Sequence, residues 1–326
     1  MTLKTLILSS AAALALTVAA HAQELRYANW AAPMHTINAS QIERLAKALN
    51  DKTGGSVTLR AFHGGELGAG PADQYVRVVQ GTAEMGWGLP GYTSSQFPKT
   101  MITELPGALE LDAPAHEAMW RAFDAELAAE FPMTEVIALW GSEPNILMMR
   151  DREIRTPEDL RGLKIRVSGA AAADAIEALG ATPVQLPVTQ VYNGLQTGLI
   201  DGLVSGASVM SDFKLDEVVG TMSLGANLGR LSFFTVMNKS AYDALPDEAK
   251  AALDTDMRAE LSARAEEAWK ATADAGIEAA RASDSTTVID LTKDEIAAFD
   301  AALSPVTDAY IADVGGEAAL AAMRGQ

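Results

Sequence analysis

Arg155-Thr-Pro-Glu-Asp-Leu-Arg-Gly-Leu-Lys-Ile-Arg-Val-Ser-Gly169 joins a turn signal, a strand and a helix start within fifteen residues. Thr156 is placed to cap a short helical turn, with Pro157 at the first helical position and Glu158 and Asp159 in the first turn. Gly162 ends that turn, and residues 163–167 read as a strand. Side chains in a strand switch faces at every residue, so Leu163, Ile165 and Val167 point one way and Lys164 and Arg166 the other. Arg166 is thus a charge inside an apolar strand, followed at once by Ser168-Gly169 and an Ala-rich helix. That arrangement suits an anion-binding position at the end of a sheet strand, where α/β folds place their ligands. The competing interpretation is an edge-strand arginine with its head in water.

Strand and helix signals alternate on both sides of this stretch. Upstream, strands are expected at 24–29, 57–62, 83–88, 136–140 and 145–149, and helices at 37–49, 71–80 and 115–131. The turn His63-Gly-Gly-Glu-Leu-Gly-Ala-Gly-Pro71 has neither a GxGxxG frame nor a Gly-Lys-Ser/Thr ending, so it reads as a strand-to-helix turn rather than a phosphate loop. Downstream, a helix at 170–179 stops at Gly180, and a strand at 182–186 leads to a helix capped by Thr189 and ended by Gly198. A strand at 199–204 and a helical segment at 213–218 come next, and the strand at 232–237 is expected to return to the first domain. A long helix is expected from about 246 to 281, then a strand at 287–291, a helix at 294–302 broken near Pro305, and a last helix at 317–323.

The resulting fold class is α/β, with two lobes, hinge strands and a long helix spanning both. Lobe I is expected to comprise residues 23–143 and 232–271, and lobe II residues 144–231 and 272–326.

Composition narrows the setting. Lys4, the apolar run from Thr5 to Ala19 and the Ala20-His21-Ala22 pattern predict a signal peptide over residues 1–22 and an exported, periplasmic protein. The chain has no cysteine, so no disulfide framework or lipid anchor is expected and stability must come from core burial. A formal net charge of −18 disfavours nucleic acid and anionic membrane surfaces as partners. An anionic ligand would need a local site.

Trp87-Gly-Leu-Pro-Gly-Tyr92 puts two aromatic rings where the chain leaves a strand, a position that suits walls for an organic ligand, each ring able to donate one hydrogen bond; packing under a loop is the alternative. Catalytic patterns are scarce. After the signal, His35, His63 and His116 show no metal-ligand spacing, and no G-x-S-x-G elbow occurs. Ser211-Asp-Phe-Lys214 fits S-x-x-K without companion motifs, and a helical surface lysine explains it better. No catalytic residue, metal or cofactor is expected.

Several motifs occur in the order seen in the solute-binding proteins of tripartite ATP-independent periplasmic (TRAP) transporters, which the chain resembles over nearly its whole mature length. They are Gly64-Gly-Glu-Leu-Gly68, Gln80-Gly-Thr-Ala-Glu-Met-Gly86, Arg155 to Val167, Ala178-Leu-Gly-Ala181 and Tyr192-Asn-Gly-Leu-Gln-Thr-Gly-Leu-Ile-Asp-Gly202, with Asn238-Lys239 and Leu245-Pro246. The resemblance implies a two-lobed receptor that closes on its ligand and hands it to membrane subunits. It also implies that Arg166 pairs with a ligand carboxylate.

Two departures shape the ligand expected. Members resembling the sialic-acid receptors carry Gln-Glu-Asn-Pro after Asp-Gly, where this chain has Leu203-Val-Ser-Gly206, and Ile146 stands where they carry a further arginine. Trp87, Tyr92 and Phe213-Lys214 are similar to the branch with aromatic-lined clefts. The resemblance therefore implies an organic monocarboxylate with an apolar or aromatic body, held by Arg166, Trp87, Tyr92, Ser205, Phe213 and His35. A receptor for an ATP-driven importer or a sensor, and a periplasmic enzyme, are the alternatives.

Overall fold

The computed structural model describes residues 22–68 and 70–326, so the expected signal peptide lies outside the described residues apart from Ala22. Among the described residues the strands are β1 (Gln23–Ala28), β2 (Val57–Phe62), β3 (Met85–Gly88), β4 (Thr134–Gly141), β5 (Ile146–Met149), β6 (Lys164–Val167), β7 (Thr182–Gln185), β8 (Gly202–Ser205), β9 (Thr221–Leu224), β10 (Ser232–Asn238) and β11 (Thr287–Asp290). They form two sheets, ordered β2-β1-β3-β10-β4 and β11-β9-β5-β8-β6-β7.

Each sheet contains one antiparallel strand that reaches it directly across the joint. β10 follows β9 of the second sheet yet pairs antiparallel with β3 and β4, and β5 follows β4 of the first yet pairs antiparallel with β8 and β9. Winding through crossover helices keeps β1, β2 and β3 parallel, whereas β10 and β5 come straight across the joint and enter from the opposite end. The two connections run side by side. Ser142 N–H donates to Leu231 O and Asn145 N–H to Gly229 O, at 2.8 and 2.9 Å. The α/β architecture is two-lobed, as expected, with these paired crossings as the joint.

β3, β5 and β8 are buried along their whole length, which explains why they read as near-continuous apolar runs rather than alternating ones. β9 escapes the sequence reading. Its residues Thr221-Met-Ser-Leu224 look like loop, and only pairing between β5 and β11 makes them a strand.

Four helix expectations need correction, three of them away from the cavity. Thr189 does not cap the helix Val191–Thr197; it lies in a preceding 3-10 turn, and Gly198 ends the helix in the left-handed region as expected. The long helix begins at Thr255 rather than 246, because the Asp254 carboxylate accepts the Met257 N–H at 2.9 Å and so caps a new start. The short helix Asp247–Ala251 stands apart, with Ala252 and Leu253 buried in the break. Pro305 does not break its helix, which runs unbroken over Lys293–Val314. Phe299, Leu303, Thr307 and Ile311 bury one face at four-residue spacing, while Ala301 and Pro305 are exposed, so water can meet the carbonyl that the proline leaves unbonded.

The helix Thr255–Arg281 has 27 residues, about 40 Å at 1.5 Å per residue. Ser262 and Glu266 bond to β4 and to the start of the helix Ala115–Ala122, and Arg281 pairs with Asp290 of β11. It therefore braces both sheets. The last helix, Glu317–Arg324, returns to pack on Ala115–Ala122.

Candidate functional site

β6 lies between β8 and β7, so Arg166 is not on an edge, and the residue is only 1% exposed. The capped turn before it forms as expected: the Asp159 carboxylate takes the N–H groups of Arg155 and Thr156, each at 2.9 Å. Arg166 Nε–H donates to Leu186 O at 2.8 Å and Nη2–H to Tyr92 Oη at 3.3 Å. Burial lowers its pKa from the ordinary arginine value, yet an arginine remains charged in any protein. Among the described residues no carboxylate lies beside it.

This guanidinium borders a cavity between the two sheets. All six residues anticipated from sequence line it: Arg166, Ser205 and Phe213 from the second-sheet side, and Trp87, Tyr92 and His35 from the first. Leu203 is the neighbour of Arg166 across the β6–β8 ladder, so Ser205, two residues on, faces the same side of the sheet. Its buried hydroxyl has no partner.

The two aromatic rings at the end of β3 differ in what they offer. Trp87 gives its N–H to Asn29 Oδ1 at 2.9 Å, so it presents only its ring, contrary to the expectation of one donor from each. Tyr92 Oη accepts from Val188 N–H at 2.9 Å as well as from Arg166, leaving its own proton to donate. The expected helical run at 213–218 is also absent. Phe213 and Lys214 fall between a short helix, Val209–Asp212, and a 3-10 turn, with Lys214 at φ 55°.

His35 is buried and its Nδ1 accepts the Ile37 N–H at 3.1 Å, which puts the ring proton on Nε2, 3.5 Å from Asp212 Oδ2. Burial dominates this pair, pushing His35 down to about 3 and Asp212 up to about 6. His35 is therefore neutral. Asp212 also accepts the N–H and hydroxyl of Thr36, tying the two sides of the cavity together.

Trp30, Asp212, Phe233 and Trp269 line the cavity and were not anticipated. Trp30 stacks on Trp87 with centroids 4.4 Å apart, and Trp269 reaches in from the long helix to within 5.4 Å of His35. A lone tryptophan in an Ala- and Glu-rich helix was the available signal for Trp269. The chamber can hold a flat apolar body against its rings and one anionic group at Arg166.

Comparison with known proteins agrees with this architecture. The chain is 31% identical over 182 residues to the C4-dicarboxylate-binding periplasmic protein DctP of Rhodobacter capsulatus, covering 56% of this chain and 54% of that one. It is 28% identical over 200 residues to the ectoine-binding periplasmic protein TeaA of Halomonas elongata, covering 59% and 57%. These matches span little more than half of each relative. A TRAP solute binding protein from Rhodoferax ferrireducens T118, solved with copurified benzoate, superposes with a TM-score of 0.86 at 26% identity, over 93% of this chain and 96% of that one. At 24% identity the fold is shared both with a marine metagenome protein specific for aromatic acids, TM-score 0.84 over 93% and 98%, and with a Roseobacter denitrificans protein holding β-D-glucuronate, TM-score 0.78 over 93% and 100%. One fold thus hosts different acids, and residues 28–313 match the description of bacterial extracellular solute-binding protein family 7, so the chain belongs to that family, the TRAP solute-binding proteins.

Proposed function

We propose that this chain is the extracytoplasmic receptor of a TRAP secondary transporter, capturing a monocarboxylate with an apolar or aromatic body and delivering it to the transporter's membrane subunits. The observation that carries the reading is Arg166: a buried cation, without a carboxylate neighbour, facing a chamber whose walls include the rings of Trp30, Trp87, Tyr92, Phe213, Phe233 and Trp269. Burying an unpaired charge is unfavourable, and a ligand carboxylate would supply both the counter-charge and the acceptors that a planar guanidinium fits. Benzoate in the Rhodoferax ferrireducens relative supports the same class of ligand. A dicarboxylate fits less well, since Arg166 is the one cationic side chain among the described lining residues and a second carboxylate would meet Asp212.

Capture would proceed by closure of lobe I, residues 23–143 and 232–271, on lobe II, residues 144–231 and 272–326, with the last helix returning to the first. The expected setting is the periplasm; no helix among the described residues is long and apolar enough to cross a membrane. Thermal-shift and calorimetric titrations with benzoate and succinate test the reading. Benzoate should raise the melting temperature and succinate should not, and Arg166→Ala should remove the benzoate shift. Equal shifts in wild type and variant, or none with any monocarboxylate, would overturn it.

A further inference from the structure

We infer that Trp30 Nε1–H and Asp212 Oδ2 together read a hydroxyl group on the body of the bound acid, so that the preferred ligand is a hydroxylated aryl monocarboxylate. This rests on the monocarboxylate reading above and deepens it.

Besides the Tyr92 and Ser205 hydroxyls on the Arg166 side, two more groups in the cavity wall have unfilled hydrogen-bonding capacity. Trp30 is buried, lines the cavity, and its indole N–H has no partner. Trp140 also carries an unpartnered N–H, but it does not border the cavity. Asp212 Oδ1 is occupied by Thr36, whereas Oδ2 has only His35 Nε2 at 3.5 Å, longer than an N–H···O bond of ordinary strength. Both groups belong to one end of the chamber. His35 touches the Trp30 ring and Asp212 alike, and Phe213, the residue after Asp212, lies nearly parallel to Trp30 with centroids 6.0 Å apart.

A donor without an acceptor and, at the same end of the chamber, an acceptor without a close donor complement a hydroxyl, which both donates and accepts. A ketone would satisfy Trp30 alone, and a methyl group neither. The ligand carboxylate cannot fill the role, because it belongs at Arg166 and would be repelled by Asp212.

Isosteric pairs test this by titration calorimetry on the purified chain: 3-hydroxybenzoate against 3-methylbenzoate, 4-hydroxybenzoate against 4-methylbenzoate, and mandelate against 2-phenylpropanoate, with benzoate as reference. An apolar wall without these groups favours the methyl member, because a buried hydroxyl lacking partners is penalised. The expected result is that at least one hydroxy acid binds about tenfold or more tightly than its methyl partner. In Trp30→Phe that ratio should fall to about threefold or less, whatever the absolute affinities. Methyl partners binding as tightly or more tightly in every pair, or a hydroxyl preference that survives Trp30→Phe, would overturn the inference. If Trp30→Phe does not fold, the wild-type pairs decide. Benzoate binding without any hydroxyl preference would remove this inference alone, whereas no binding by any acid would remove the monocarboxylate reading with it.

Discussion

At Arg166, exchanging guanidinium for ammonium keeps the charge but loses the planar fork and the bond from Nε to the Leu186 carbonyl. Arg166→Lys should weaken benzoate binding by about 10- to 100-fold, read by calorimetry. A second single residue carries a pH signature. Glu104 is buried, its Oε1 accepts the N–H and hydroxyl of Ser232 at 3.2 and 2.6 Å, and its Oε2 has no partner. Burial pushes its carboxyl up from 4.5 to about 7. A raised carboxyl pKa stabilises the fold fully below the ordinary value, and that contribution is lost as pH rises through about 7. Glu104→Gln, which mimics the neutral acid, should match the wild type near pH 4.5 and gain on it up to about pH 7. The full difference is about 3 kcal/mol. Melting curves across that range would show a constant difference if burial did not govern Glu104.

Among the elements, the long helix Thr255–Arg281 is joined to the first sheet by hydrogen bonds as well as by packing. β4 carries a bulge where its register with β10 shifts between Thr235 and Val236. Beside it, Ser262 Oγ accepts the Leu139 N–H at 3.1 Å and the Trp120 indole N–H at 3.0 Å. Its own proton goes to Arg258 O at 2.7 Å. Ser262→Ala should therefore leave a buried backbone donor unsatisfied and lower stability by about 2 kcal/mol, measured by urea unfolding. A loss under about 0.5 kcal/mol would mean that water replaces the serine without penalty.

For the whole molecule, the two sides meet at the turn after β3 and the turn after β6. A Cβ on Gly169 would stand 2.6 Å from Gly91 Cα and O, whereas a Cβ on Gly91 would meet Ser168 and Gly169 at ordinary contact distances of 3.4–3.5 Å. Gly169 has φ −165°, which any residue adopts, so the obstruction comes only from the facing side. Gly169→Ala should prop the cleft open and weaken ligand binding by about tenfold or more while leaving each lobe folded. Gly91→Ala should bind within a few-fold of wild type. Equal affinities in the two variants would count against closure at this contact.

The sequence by itself determined the elements whose signals are local. The cap at Thr156 and Asp159, the alternation through Arg166, the end of a helix at Gly198 and the existence of the strand β10 are all legible within a few residues. So were Arg166, Trp87 and Tyr92 at the cavity, because the family motif and the strand-end aromatics mark them in place. Tertiary structure alone decided what depends on convergence. Trp30 and Asp212 come from a loop and a short helix, and nothing in their own neighbourhoods distinguishes a wall from a core, while Trp269 is marked only by being a lone tryptophan on the long helix. β9 exists through its neighbours' hydrogen bonds, and the helix across Pro305 persists because its buried face outweighs one missing bond. Burial is likewise a property of the assembled fold. It turned Arg166 from a strand residue open to two interpretations into an enclosed cation, and it made His35 neutral.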